Sequence, residues 1–170
     1  MTVTRIPGRL FMMIIIFVIM TMISRDVLAQ QPPPRPIHAT LVQNMAFGAF
    51  SQGAAGGTVT INTDGSRTAT GDVVLLNLGY TFNAATFRIT ANQGTVVSII
   101  LGADVTLPGS GGGSMTLHLN GTNPASPFVI TVNPPTYTTI DISGTLTVGN
   151  QAASPPGDYS GTFDITFMQE

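Results

Sequence analysis

Two histidines, His38 and His118, are the side chains in this sequence whose ordinary pKa suits proton transfer near neutral pH, so acid–base or nucleophilic chemistry would have to be built around them. The pattern around each argues against it. Ile37, Ala39 and Leu41 alternate with His38 and Thr40, and Met115, Leu117 and Leu119 alternate with Thr116, His118 and Asn120, which puts both imidazoles on the outer faces of strands. No serine stands in a G-x-S-x-G elbow that could pair with them. The two histidines and the scattered aspartates show no close metal-ligand spacing. Asn62-Thr63-Asp64-Gly65 offers oxygen ligands and a glycine, but it lacks the alternating acids and later glutamate of a calcium loop, and it reads as a hairpin turn. The glycines from Gly109 to Gly113 precede neither a lysine nor a helix, so they read as a flexible hairpin tip and not as a phosphate cradle. Tyr137 and Tyr159 could stack on a sugar, although the sequence holds no tryptophan and each tyrosine suits a core or a strand end equally well. No catalytic, cofactor-binding or metal-binding residue is assigned, and a non-enzymatic protein is expected.

The elements that would carry these residues are strands. In the last stretch, Tyr159, Gly161, Phe163, Ile165 and Phe167 fall on one side of an extended chain, and Ser160, Thr162, Asp164 and Thr166 fall on the other. Gly157 to Glu170 is therefore expected to be one final, half-buried strand. Its register should be strongly specified, because a one-residue slip would expose the aromatics and bury an aspartate. Gly157, Tyr159, Phe163, Ile165 and Phe167 are its candidate core or assembly residues. Further strands are predicted around Met45–Ala49, Val59–Ile61, Phe87–Ala91, Thr95–Leu101, Met115–Leu119, Phe128–Val132 and Ile140–Val148. Gly53–Gly57 reads as a flexible loop. Val73-Val74-Leu75-Leu76 fits either a strand covered on both faces or a short helical turn. Many short strands without an amphipathic helix define an all-β class, a single antiparallel sandwich or barrel with Greek-key-like connections.

The N-terminus carries an address. Arg5 and Arg9 precede an apolar run from Leu10 to Ile23, and Val27-Leu28-Ala29 supplies small or aliphatic residues before a cut, so residues 1–29 read as a signal peptide. The fourteen-residue run from 10 to 23 would rise only about 21 Å as a helix, short of a bilayer core of about 30 Å. Residues 30–36, Gln-Gln-Pro-Pro-Pro-Arg-Pro, are a Pro-rich spacer with few donors for a sheet. Residues 37–170 form the folded domain. Export to the periplasm, cell surface or medium follows, with the membrane met only during passage. With no cysteine in the chain, neither a disulfide nor a lipid-modified cysteine is available. Beyond residue 29 the chain has Arg35, Arg67 and Arg88, seven acids and no lysine, which argues against nucleic acid and anionic membranes as partners. Only 8 % of the whole chain is charged, so solubility rests on Thr, Asn, Ser and Gln.

Several stretches together are similar to family 4402 of the bacterial exported domains of unknown function: Met45-Ala46-Phe47-Gly48, Gly57-Thr58-Val59-Thr60-Ile61, Ala84-Ala85-Thr86-Phe87-Arg88-Ile89, Gly144-Thr145-Leu146-Thr147-Val148-Gly149, and Gly157-Asp158-Tyr159-Ser160-Gly161-Thr162-Phe163-Asp164-Ile165. The resemblance covers most of residues 37–170. It implies an immunoglobulin-like or pilin-like sandwich with no established activity and no catalytic residues. The final strand also resembles that of spore coat U-type and chaperone-assembled pilus subunits, with Gly157 at the glycine position and Phe163, Ile165 and Phe167 alternating after it; Gln169 stands where those subunits carry an aromatic. A structural or pilus-like surface component is expected, with a secreted glycan- or protein-binding module as the alternative. Partners would be the protein itself or other surface proteins, with no cofactor. The strand count favours a sandwich without a vacancy, folding alone as a monomer and associating laterally through Thr- and Asn-rich faces rather than by strand exchange.

Overall fold

Thr138–Val148 is the axis of the domain. Ile140, Ile142, Leu146 and Val148 along it are no more than 3 % exposed, and its backbone is paired along both edges. Its β-branched residues are stiff side chains that pack well on a pleated surface. The computed structural model describes residues 36–170. These form twelve strands and no helix. In chain order they are β1 (His38–Gln43), β2 (Ala46–Phe47), β3 (Phe50–Ile61), β4 (Arg67–Leu75), β5 (Phe82–Asn83), β6 (Ala85–Thr90), β7 (Val96–Leu101), β8 (Val105–Pro108), β9 (Ser114–Asn123), β10 (Phe128–Val129), β11 (Thr138–Val148) and β12 (Ile165–Gln169). The expected signal peptide and residues 30–35 of the spacer lie outside the described residues. Among the described residues no helix is long and apolar enough to cross a membrane.

The first layer is a seven-stranded antiparallel sheet. One edge of β11 pairs with β9, which pairs with β8. Along the other edge β6 takes the first half of β11 and β3 the second, and these are flanked by β1 and β4. Threonines fix the register on the outer face: Thr60 Oγ1 and Thr145 Oγ1 lie 2.8 Å apart, and Thr58 Oγ1 and Thr70 Oγ1 2.7 Å. The second layer is a three-stranded sheet, β10-β7-β12, accompanied by a separate two-stranded ribbon, β2-β5. Val97 and Ile99 of β7 join the inner residues of the first layer in one buried cluster. The ring of Phe167 on β12 meets that of Phe87 on β6 at 5.3 Å. This is an all-β antiparallel sandwich.

Four expectations about the strands need correction. Gly53–Gly57 is not a loop but part of β3, with an irregular register opposite β4 between Gln52 and Gly57. Gly56 sits at φ +71°, and a side chain at Gly57 would strike the Thr70 carbonyl, so glycine here lets neighbouring backbones close up. Val73–Leu76 is neither a doubly covered strand nor a helical turn. It ends the edge strand β4, with Val73 8 % and Val74 59 % exposed. Third, the last fourteen residues do not form one strand, since ladder pairing begins at Ile165 and the earlier part holds one isolated bridge, Gly109 to Tyr159. The strand expected at Phe128–Val132 also shortens to Phe128–Val129, with Ile130 buried just beyond it.

Candidate functional site

The second layer has a gap in it. β12 is paired on one edge, to β7, and the chain just before it, Gly161 to Phe163, makes no backbone hydrogen bond among the described residues. β2 is likewise paired on one edge, to β5. Between these half-used edges lies a cleft of about 930 Å³, with Asn44–Gln52 along one side and Pro155–Phe163 along the other. Its floor is the inner face of the first layer, where Phe87, Leu107, Met115, Leu117 and Leu146 come from β6, β8, β9 and β11. The strand count had suggested closure. What it missed is that the residues preceding β12 and those around β2 each reach the core without reaching each other.

Each wall is held from behind. Arg67, first residue of β4, donates from Nη1 to the carbonyls of Phe47 (2.8 Å) and Ala49 (3.1 Å) and from Nη2 to that of Leu76 (3.2 Å). Its guanidinium also lies over the Phe82 ring at 4.4 Å. Gly48 makes room for it, since a Cβ there would lie 2.5 Å from Nη1. Asn83 Nδ2 donates to the Asn44 carbonyl at 2.5 Å. Arg67 thus ties the first wall to β4. The second wall rests on the glycine-rich β8–β9 tip. Ser110 N donates to the Asp158 carbonyl at 2.9 Å, and a Cβ at Gly109 would lie 2.6 Å from the Tyr159 ring. Tyr159 Oη donates to the Pro155 carbonyl at 2.5 Å. The Gln52 side chain hydrogen-bonds the Ser154 carbonyl and so joins the two walls at one end. Ser154 itself is fully buried, its hydroxyl held by Gly149 N at 3.0 Å and the Ser114 carbonyl at 2.8 Å.

The chemistry this permits is recognition. Asp158 is the one charged residue lining the cleft, and the floor is apolar. An apolar trough bordered on one side by the unpaired backbone of Gly161–Phe163 suits an extended chain, with main-chain hydrogen bonds giving affinity and alternate side chains giving selectivity.

The residues singled out in the sequence fall as follows. Tyr159 and Phe163 are half-buried and line the cleft, as does exposed Gly157, whereas Ile165 and Phe167 are half-buried within β12. His38 is exposed on β1, and His118 Nδ1 meets Asp104 Oδ1 at 2.6 Å with both side chains more than half exposed. Neither histidine hydrogen-bonds a serine among the described residues. No cluster of three His, Cys, Asp or Glu side chains occurs among them either. Asp64 caps its own turn, accepting from Ser66 N at 2.8 Å. The Ser66 hydroxyl and then the Ser66 amide hold its carboxyl below the usual aspartate value. Tyr137 stacks against Arg88, whose guanidinium lies 4.2 Å from the ring centre. Arg67, Gly48 and Met45 were not foreseen as site residues. The signal for Arg67 was faint, a single arginine opening the return strand of a hairpin in a chain nearly free of cations.

The fold and the cleft place this protein among all-β sandwich domains. Residues 37–168 match the family model described as a domain of unknown function, DUF4402, and the chain belongs to that family. Compared with curated proteins and with solved structures, the chain finds no match.

Proposed function

We propose that the protein is an exported, non-enzymatic structural component of the cell surface, pilin-like in that it works by assembly. One observation carries the reading, the open cleft of about 930 Å³ in the second layer, bordered by Gly161–Phe163 and β2 over an apolar floor. An open apolar trough with free edges favours association, and proteins that remain single usually cover such edges. The composition supports it too, because a surface with few charges is poorly defended against contact with its own kind. The test is to express the whole chain in a bacterial host, establish by N-terminal sequencing that the exported form begins at Gln30, and determine its mass in solution and on the cell surface. Oligomers or fibres are the expected result. A strictly monomeric product at all concentrations, with no surface-bound fraction, would remove the structural reading.

A second reading, a secreted binding module, draws on the apolar residues beside the cleft. Leu78, Tyr80 and Phe82 are 65 %, 67 % and 44 % exposed, and Tyr80 also lines the cleft. Exposed aromatics of this kind suit glycan or protein contacts. A rise in melting temperature with one member of a glycan panel would favour this reading over assembly.

A further inference from the structure

We propose that the outer face of the seven-stranded sheet, opposite the cleft, carries a binding site for a single chain of a neutral β-1,4-linked glycan. Ladder pairing lines up threonines from five strands in one row. Thr106 of β8 faces Thr116 of β9, which faces Thr147 of β11; Thr147 faces Thr58 of β3, and Thr58 faces Thr70 of β4. Two residues along, His118, Thr145, Thr60 and Thr68 make a second row on the same face. Leu117, Leu146 and Val59, which alternate with them, are buried beneath, and every member of the two rows is exposed or half-buried. The hydroxyls are already ordered. Thr58 Oγ1 and Thr70 Oγ1 lie 2.7 Å apart, Thr60 Oγ1 and Thr145 Oγ1 2.8 Å, and Asn120 Nδ2 donates to Thr145 Oγ1 at 2.8 Å. Each hydroxyl pair shares one proton and so leaves the other for a ligand. At the end of the second row His118 Nδ1 meets Asp104 Oδ1 at 2.6 Å, and its Nε2 has no partner among the described residues. Threonine side chains held this way lose little freedom on binding.

Charge, size and twist select the partner. Acids border the strip, with Asp64 in the β3–β4 turn, Asp72 beyond Thr70 on β4 and Asp104 just before β8. The outer-face arginine, Arg88, pairs opposite Thr139, about 20 Å along β11 from Thr145. A neutral ligand therefore fits and a uronate, sulfate or phosphate does not. The strip is about 19 Å long with its rows about 7 Å apart, far less than the roughly 800 Å² per partner of a stable protein interface. Its hydroxyls repeat at the strand spacing of about 4.7–4.9 Å, and an extended β-1,4-linked glycan advances by close to that distance per sugar. One such chain lying across the strands meets a donor-acceptor pair at each sugar and rests its C–H faces on the threonine methyls. Adjacent strands rotate by about 20–25°, so the strip turns through about 80–100° over its four steps. A single chain can follow that turn, whereas a flat crystalline surface cannot.

The test uses the exported full chain with the soluble hexamers of three neutral β-1,4-linked glycans, those of glucose, xylose and N-acetylglucosamine, and with dextran as a control of different linkage. Binding of a hexamer should shift the methyl NMR signals of the threonines in the two rows and leave the ring signals of Tyr80 and Phe82, beside the cleft, in place. Thr145→Val keeps the β-branched shape and removes a hydroxyl engaged in two hydrogen bonds, so affinity should fall about tenfold with the fold retained. Should that variant unfold, His118→Ala reads the same site from an exposed position and should also weaken binding. Tyr80→Ala should bind as the parent does. No methyl shift with any of the three hexamers would overturn the proposal. Equal binding of dextran would overturn it as well, because the spacing would then play no part. Shifts confined to Tyr80 and Phe82 would move the glycan to the cleft side. Binding to crystalline cellulose without binding to a soluble hexamer would make the ligand a flat surface and not a chain. Oligomers formed through the cleft affect none of these outcomes, because the threonine rows lie on the opposite face of the sheet.

Discussion

The β11-centred layer and the segment from Gly157 to Phe163 have similar sequences and opposite fates. Both alternate apolar with small polar residues, and both are rich in Thr, Ser and Gly. In β11 the apolar side is sealed, with Ile140 and Ile142 at 0 % exposure, and both backbone edges are paired. In the second segment Tyr159 and Phe163 reach only half-burial, and Gly161–Phe163 have no backbone partner among the described residues. Alternation therefore sets which way a side chain points but not whether a neighbour is present to complete the ladder. In this protein the paired layer carries stability, and the half-paired segment is where a partner would act.

The largest effect should come from breaking the sealed layer. Ile142→Asp places a carboxylate at a fully buried position with no cation near it among its paired neighbours. A cost of about 4 kcal/mol or more is expected, enough to unfold a marginal domain. Circular dichroism should show loss of the strand signal at room temperature; a cooperative melt near that of the parent would show that β11 is not the axis of stability.

Next is the brace between the regions. Arg67→Met keeps the apolar stem and removes three charge-assisted bonds to backbone carbonyls and the stacking on Phe82. Because those carbonyls can regain water, a loss of about 3 kcal/mol is expected and not unfolding. The change should appear in hydrogen exchange as faster opening of Phe47–Phe50 with little change at β11. Uniform acceleration across the domain would mean that Arg67 supports the whole core and not the wall.

Smaller still is Phe163→Asp. Sequence pattern alone makes this change unfold the domain, but a half-exposed rim position can turn a carboxylate to water. A loss of about 1 kcal/mol is expected, read as a small fall in melting temperature with the strand signal retained. Unfolding by this substitution would erase the distinction between the two regions.

The sequence told most about the sealed layer and least about the cleft, for a physical reason. Met115, Leu117 and Leu119, and Ile140 through Val148, could be assigned from period-two alternation because burial on one face acts on every second residue. β3 was obscured by Gly53–Gly57, where glycines that usually mark a loop instead let backbones approach. The cleft was not legible at all, since its walls come from residues about a hundred positions apart and its defining property is a missing neighbour, which leaves no mark on local pattern. Arg67 was hidden for a related reason, because its partners are backbone carbonyls and no side-chain complement announces them. Family membership added the extent of the domain, residues 37–168.

The smallest effect belongs to an exposed turn on the paired layer, and it tests whether that layer satisfies its polar groups to the very tip. Asp64 between β3 and β4 accepts from Ser66 N at 2.8 Å, while Asn62 Nδ2 donates to Ser66 Oγ at 2.9 Å. The Ser66 hydroxyl first, and the Ser66 amide second, favour the charged carboxylate and lower its pKa. A carboxyl whose folded pKa is depressed adds stability above its unfolded value, about 3.9 for aspartate. That contribution is lost as pH falls through the lower folded value. Carboxyl NMR titration should therefore place the Asp64 midpoint below that of an ordinary aspartate, and Ser66→Ala should move it upward without abolishing the shift, because the amide remains. A midpoint at or above the ordinary value would mean that the turn is open in solution, and that the sealed layer frays at its end much as the cleft segment does.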